Sequence, residues 1–145
     1  MTKHALPILI LGGLILSAAI AGDAVSEREH GFKNSKRAVT TIKDALSTGD
    51  MATVAASAKT MADFAERIPD LFPPGSKGGF FSAAKDDIWR DFPDFTQKSK
   101  TLQRDAQALA TLAAAPSPDR AAVNAAFSNV TEDCKTCHQT YKKGR

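Results

Sequence analysis

The last part of the chain carries the pattern that decides the fold. Residues 123–141 read VNAAFSNVTEDCKTCHQTY, in which larger side chains recur at alternating intervals of four and three. The residues that share this spacing are Val123, Phe127, Val130, Cys134, Cys137 and Tyr141. Side chains three and four positions apart lie on one face of an α-helix. The stretch therefore predicts a helix whose inner stripe includes both cysteines of the chain.

Three upstream segments show the same spacing and predict three further helices. They cover about Ala24–Leu46, Asp50–Ile68 with Asp50 as N-cap, and a helix that begins between Asp87 and Pro93 and ends near Ala113. The first-helix stripe contains Arg28, Phe32, Ser35, Val39, Ile42 and Leu46. Four helices without any strand alternation predict an all-α protein, an antiparallel four-helix bundle.

The connections between these helices follow from proline, glycine and serine. Pro69, Pro73-Pro74-Gly75 and Gly78-Gly79 interrupt the pattern, so one long irregular connection reaches to about Ile88. Ser117 followed by Pro118 is a good N-cap and first-turn pair, which predicts the start of the last helix there.

The N-terminus has the pattern of an export signal. Lys3 precedes an apolar run from Leu6 to Ile20, and Ala19-Ile20-Ala21 is a small-x-small cleavage sequence. We predict a signal peptide at residues 1–21 and a four-helix domain at residues 22–145, in a periplasmic protein. An uncleaved membrane anchor is the alternative, although the run is short for a transmembrane span.

Charge and composition argue against several classes of protein. The 145 residues are 43% hydrophobic and 24% charged, which is typical of a folded globular domain. The formal net charge is +3, from 19 basic and 16 acidic side chains, and becomes +2 without Lys3. No basic cluster interleaved with aromatic residues accompanies this small excess, so the sequence predicts no nucleic-acid partner.

The two cysteines belong to a CxxCH motif, Cys134-Lys135-Thr136-Cys137-His138. In such a motif two thiols add to the vinyl groups of haem and the adjacent histidine ligates the iron. On a helix, one turn presents all three groups on the same side. A redox dithiol would normally accompany a βαβ pattern, and zinc needs four ligands, for which only His30 remains after the signal segment. The motif predicts one covalently attached haem c with His138 as axial ligand.

Other stretches narrow the class of haem protein. They are Arg28-Glu29-His30-Gly31-Phe32-Lys33, Phe72-Pro73-Pro74-Gly75, Ile88-Trp89, Ala126-Phe127-Ser128-Asn129-Val130 and Tyr141-Lys142. With these and with a CxxCH motif in the last helix, nearly all of the segment after residue 21 resembles the cytochrome c prime family. The resemblance implies an exported four-helix bundle that holds covalently bound haem.

The resemblance also gives roles to two residues of the first helix. Four positions after the first-helix arginine, low-spin members carry a methionine that ligates the iron, and high-spin members carry an apolar residue. Here the arginine is Arg28 and the position is Phe32, whose ring has no lone pair for a metal. We therefore expect Phe32 to cap a vacant sixth site. The resemblance implies that Arg28 pairs with a haem propionate, with a solvated arginine as the alternative.

These expectations lead to a functional hypothesis. A five-coordinate haem under an apolar cap favours reversible binding of nitric oxide or carbon monoxide, with electron transfer to an unidentified redox partner as an added role. A low-spin, six-coordinate electron carrier is the alternative. No acid–base residue shares the helical face of Arg28 and Phe32, so we predict that the protein is not an enzyme. Relatives often pair through their first two helices, which makes a homodimer possible.

Overall fold

Four long helices build the protein in the computed structural model, which describes residues 13–80 and 82–144, with side chains from Asp23 onward. The long helices are α1 (Gly13–Thr48), α2 (Met51–Arg67), α4 (Phe92–Ala113) and α5 (Arg120–Tyr141). A 3₁₀ turn (Pro69–Leu71) and the one-turn helix α3 (Asp87–Arg90) lie in the connection between α2 and α4. The predicted all-α antiparallel four-helix bundle is confirmed.

Helix α1 differs from its predicted bounds at its N-terminus. The predicted start was about Ala24, whereas the helix already begins at Gly13, inside the predicted signal segment. Residues 1–12 of that segment lie outside the described residues. At the other end, Gly49 has a φ of 80°, a conformation that glycine adopts without strain and that ends a helix.

Aspartates cap the other three long helices. The predicted N-cap Asp50 accepts the backbone N–H of Thr53 at 3.0 Å, and Asp91 caps α4, whose first turn contains Pro93 as predicted. The predicted cap of α5 was wrong. Asp119, two residues after Ser117, accepts the N–H of Ala121 at 2.9 Å. A carboxylate at a helix N-terminus also interacts favourably with the helix dipole, which a serine hydroxyl does much less.

The core consists of two clusters of different composition. One is aliphatic and lies among all four long helices; its larger fully buried side chains are Ile42, Val54, Met61, Leu109, Val123 and Val130. The other is aromatic and lies beside the α2–α4 connection; it contains Phe72, Phe95 and Tyr141 together with Ile68, Leu71 and Ile88. Alanines fill much of the space in the first cluster, so helices approach closely there.

The helices pack in the order α1 on α2, α2 on α4 and α4 on α5. Helices α1 and α5 make hardly any direct backbone contact, although they are the remaining neighbours of the bundle. Arg120 Nη2 donates to the carbonyl oxygen of Leu46 at 3.0 Å and joins the end of α1 to the start of α5. Helices α1 and α5 are therefore joined at the Leu46 end, while their backbones stay farther apart than those of the other neighbouring helices.

The connection before α3 holds the end of α5. The backbone N–H of Lys85 donates to the carbonyl of Tyr141 at 3.0 Å, and that of Lys143 donates to the carbonyl of Ala83 at 2.8 Å. The Lys85 ammonium also donates to the carbonyls of Gln139 and Thr140, each at 3.0 Å. A cation on the last carbonyls stabilises a helix C-terminus. Within residues 13–80 and 82–144, no helix combines the length and the apolar character needed to cross a membrane.

Candidate haem site

The CxxCH motif occupies the last two turns of α5, as predicted. Cys134 and Cys137 are partly buried and are not joined in a disulfide. Cys137 packs against the aromatic cluster, which includes Phe95 and Tyr141. His138 lies at the surface one position further along. Two thiols and an imidazole are therefore presented within one helical turn.

Burial changes the pKa of all three groups of the motif. Burial raises the pKa of the Cys134 thiol, and burial together with the neighbouring Cys134 raises the pKa of Cys137 to about 11. Partial desolvation and then the positive charge of Lys142 lower the pKa of His138. A neutral imidazole has the nitrogen lone pair that an iron ligand requires.

The protonation of the thiols bears on the redox interpretation of the motif. A redox dithiol depends on a lowered thiol pKa, whereas both thiols here have raised values. Within the part of the chain that the structure describes, no group of three or more histidine, cysteine or carboxylate side chains is arranged to hold a metal ion. The raised thiol pKa values therefore do not favour thiol–disulfide exchange.

Phe32 lies on α1 and is 37% exposed, which is unusual for a large apolar side chain in this protein. Its ring meets Phe64 of α2 edge to face, with centroids 5.1 Å apart and an interplanar angle of 89°. A second edge contact, at 6.4 Å, joins it to Phe72 in the connection. The rings of Phe64 and Phe72 thus pack against Phe32, while part of the Phe32 side chain stays exposed.

A chain of aromatic contacts links Phe32 to the motif on α5. Phe72 lies 4.9 Å from Phe95 between ring centroids, and Phe95 lies 5.2 Å from Tyr141. Tyr141 follows His138 by one helical turn, so Phe32 and the motif border the same aromatic cluster at the same end of the bundle. Helices α1 and α5, which bear Phe32 and the motif, approach each other less closely than the other neighbouring helices do.

Arg28 is buried, with 4% of its surface exposed, so the solvated arginine that sequence analysis left open is wrong. Its Nη1 donates to the carbonyl of Leu71 and to Ser76 Oγ, each at 3.1 Å, and its Nη2 donates to the carbonyl of Lys77 at 3.1 Å. The guanidinium carbon lies 4.3 Å from the centroid of Phe72. Arg28 therefore fastens the connection to α1, a role that sequence analysis did not identify.

This burial has an electrostatic consequence. Desolvation lowers the pKa of Arg28, although the guanidinium remains charged at any ordinary pH. Three of its five N–H donors are used by described residues, so donors remain for a propionate. The predicted pairing with haem is compatible with this geometry and stays a prediction.

Two further features near the motif escaped sequence analysis. Tyr141 Oη donates to Asp94 Oδ2 at 2.5 Å, and the Lys98 ammonium donates to the same carboxylate at 2.8 Å. Gly31 has no side chain where the ring of Phe64 packs against α1. A glycine inside a helix destabilises it by about 1 kcal/mol relative to alanine. Its presence at position 31 could have indicated a close packing contact, which the structure shows with Phe64.

His30 lies on the side of α1 that faces α2. It lines a cavity of about 230 Å³ between α1 and α2, together with Phe64 and Arg67. The second cavity, an open groove of about 650 Å³, lies at the bundle end beside Phe72 and Trp89. The Trp89 indole N–H donates to the carbonyls of Phe72 and Pro73, at 2.9 and 3.1 Å, so Trp89 holds the connection rather than the motif.

Known proteins resemble the chain along nearly its whole length. It is 38% identical over 137 residues to cytochrome c-556 of Agrobacterium fabrum strain C58, covering 92% of this chain and 90% of the relative. The solved cytochrome c′ of Thermochromatium tepidum superposes with a TM-score of 0.77 at 27% identity, covering 86% and 97% of the two chains. A nitric oxide complex of a mutant cytochrome c prime from Alcaligenes xylosoxidans gives 0.75 at 26% identity, with the same coverage.

The family model described as Cytochrome C' matches residues 23–142, which is most of the chain. Proteins of that family carry covalently attached haem c, and the two thiols and the imidazole on α5 are the groups that such attachment needs. The chain belongs to the cytochrome c′ family and is a c-type haem protein.

Proposed function

We propose that Cys134 and Cys137 attach one haem through thioether bonds and that His138 is its axial ligand. The support is the pair of unbridged thiols one turn apart, followed directly by an imidazole whose pKa is lowered by partial desolvation and by Lys142. Replacing both cysteines with serine should give a chain whose haem is lost to acid–acetone extraction. Colour retained in the insoluble protein fraction would contradict this assignment.

The protein binds nitric oxide or carbon monoxide at the face of the haem covered by Phe32. When bound, haem supplies an iron coordination site that is open to diatomic ligands. The observation that carries this proposal is the ring of Phe32, which is 37% exposed, rests on Phe64 and Phe72, and offers no atom able to ligate a metal. The relative from Alcaligenes xylosoxidans, solved as a nitric oxide complex, adds support.

The chemistry of Phe32 also sets which gas is preferred. Dioxygen binding to haem gains from a hydrogen-bond donor in the distal pocket, and a phenyl ring has none. Nitric oxide and carbon monoxide depend less on such a donor. The bulk of the ring restricts access, so association should be slow compared with an open haem.

We assign the protein to ligand binding, with one-electron transfer to a redox partner as an added role, and not to enzyme catalysis. The groups beside Phe32 are aromatic, and Arg28 is always protonated and held by three hydrogen bonds. Neither residue is suited to exchange protons with a bound substrate.

The spin state of the purified protein tests the gas-binding proposal. We expect a high-spin visible spectrum in both oxidation states, and spectral shifts when carbon monoxide or nitric oxide is added to the ferrous form. A low-spin spectrum in both oxidation states would support the six-coordinate electron carrier instead, with His30 as the first ligand to test.

The proposal also includes export with cleavage of a signal peptide and assembly into a homodimer. Cleavage after Ala21 would remove the part of α1 that precedes the family match, which begins at residue 23. Mass spectrometry of the periplasmic protein should show Gly22 as the first residue and the added mass of one haem. Homodimerisation through α1 and α2 is tested by sedimentation; a monomer at all concentrations would contradict it.

A further inference from the structure

Asp133 immediately precedes the first cysteine of the motif and contains an unusual oxygen. Its Oδ2 is buried and receives no hydrogen bond from any group in the described part of the chain. A buried carboxylate oxygen without a donor is costly, because it loses its water without replacement. A proton on this oxygen would remove the charge and turn the acceptor into a donor.

The acceptor for such a proton is present on the neighbouring helix. The Asp105 side chain of α4 lies near the Asp133 carboxyl group, where its negative charge and a hydrogen bond between the two groups would raise the pKa of Asp133. Two carboxyl groups can share a hydrogen bond only if one of them is protonated. Arg104 Nε donates to Asp105 Oδ1 at 2.8 Å, so the Asp105 carboxyl group already has a cationic partner. The shared proton therefore belongs to Asp133.

The charges around Asp133 act in the same direction. The charged groups that face it among the described residues are Asp105 and Arg104 from α4 and Glu132 from its own helix. Desolvation and the two acidic neighbours raise the pKa of Asp133 to about 6, and Arg104 opposes them only in part. Asp133 thus changes its charge in the range in which periplasmic pH varies.

Asp133 is also placed to sense the haem. It is adjacent to Cys134, and its charge raises the pKa of both cysteine thiols, so it acts electrostatically on both proposed attachment points. The negative charge of Asp133 should favour ferric over ferrous haem. Reduction adds an electron to the haem, and the Asp133 carboxylate repels this added negative charge.

We infer that Asp133 and Asp105 form a proton-binding site coupled to the oxidation state of the haem. One electron from a one-electron donor reduces the ferric haem, and one proton from solvent is taken up by the Asp133 carboxylate, which then donates a hydrogen bond to Asp105. Oxidation reverses both steps. The inference rests on the proposed attachment at Cys134 and Cys137, but it does not require the sixth site to be vacant.

The test is the midpoint potential of the holoprotein between pH 4.5 and 8.5. In the wild type the potential should fall with rising pH around pH 6 and level off on both sides, since the ferrous state binds the proton more tightly. In Asp133→Asn the fall of the potential around pH 6, which we call the pH-dependent segment, should be absent. The potential of this variant should match the wild type at pH 4.5, where both side chains are neutral, and exceed it at pH 8.5, where only Asp133 is charged.

Two further variants make the test specific. Glu132→Gln removes the same charge from the neighbouring, exposed residue and should retain the pH-dependent segment. Asp105→Asn offers Asp133 an amide donor and should move the segment to lower pH. A segment that persists in Asp133→Asn would assign the proton to another group, such as a propionate, and would overturn the inference.

An infrared readout is independent of the potential. The ferrous-minus-ferric difference spectrum at pH 6 should contain the carbonyl band of a protonated carboxylic acid that shifts in heavy water and is missing in Asp133→Asn. Absence of this band from the wild type would also overturn the inference. A pyridine haemochrome spectrum of each sample reports covalent attachment, so a failure of the proposed haem site is recognised separately.

Discussion

The ring of Phe64 fills the space in which any other residue at position 31 would place its side chain. A Cβ built on Gly31 would overlap the Cε2, Cζ and Cδ2 atoms of that ring. The ring of Phe64 also packs edge to face against Phe32, with centroids 5.1 Å apart. Gly31 therefore indirectly positions Phe32, the residue that we place over the haem.

Gly31→Ala should therefore destabilise the protein although alanine is the better helix former. The gain in helix propensity is about 1 kcal/mol, and displacing a packed ring costs about 1–3 kcal/mol, so a net loss is expected. Urea unfolding of the holoprotein measures it, and carbon monoxide association should change as Phe32 moves. Adding Phe64→Leu should recover part of the loss. A Gly31→Ala protein more stable than the wild type would contradict this packing.

Substitutions of Phe32 test the proposed cap from two sides. Phe32→Ala removes bulk above the haem and should speed carbon monoxide association, measured by stopped flow, while the His138 side is unchanged. Phe32→Met introduces a thioether and should shift the visible spectrum toward a six-coordinate low-spin state. If neither variant changes kinetics or spin, another side chain covers the iron and Phe32 belongs only to the aromatic cluster.

Arg28→Met should destabilise the protein by about 2–4 kcal/mol, because the carbonyls of Leu71 and Lys77 and the hydroxyl of Ser76 lose their donor. Hydrogen exchange at residues 71–78 should accelerate before global unfolding. Arg37→Met is the matched control, since Arg37 lies on the same helix, is exposed and bonds only to Asn34 among described residues. Equal losses for the two variants would show that Arg28 does not hold the connection.

Tyr141→Phe removes the hydroxyl that donates to Asp94 and should cost about 1 kcal/mol at pH 7. The hydrogen bonds from Lys98 and then Tyr141 lower the pKa of Asp94, so the folded state favours the carboxylate. Their stabilisation is present above the ordinary aspartate pKa and is lost as pH falls through the lowered one. Thermal melts should show the difference from wild type at pH 7 and a smaller one near pH 3, with Thr140→Val as the neighbouring control.

Asp133→Asn should have the opposite pH dependence. The folded-state pKa of Asp133 is raised to about 6, so stability falls as pH rises from the ordinary aspartate pKa to about 6, and the loss is complete above that pH. The asparagine variant should melt at a higher temperature than the wild type at pH 8, and the gain should vanish only near pH 3, below the ordinary aspartate pKa, where the aspartate is protonated in the unfolded state as well. A gain of equal size at both pH values would show that the effect is packing and not charge.

Much of the fold could be predicted because it depends on local patterns. The four-and-three spacing that includes Val123, Val130 and Cys137 identifies the inner face of α5, and Gly49 with Asp50 marks one helix boundary. The CxxCH motif is likewise local, since one helical turn brings its three groups together. The start of α5 was misplaced because Ser117 and Asp119 are both good N-caps, and local preference alone does not separate them.

The sequence by itself determined the all-α class, the face of each helix that turns inward and the two thiols and imidazole that suit haem, because each depends on residues within a few turns. Only the tertiary structure decided what distant residues do to one another. Arg28 binds carbonyls more than forty positions away, Phe64 packs on Gly31, and Asp105 meets Asp133 across two helices. These contacts depend on how the helices approach, and burial then sets their strength by removing the water that would otherwise compete for each charge and hydrogen bond.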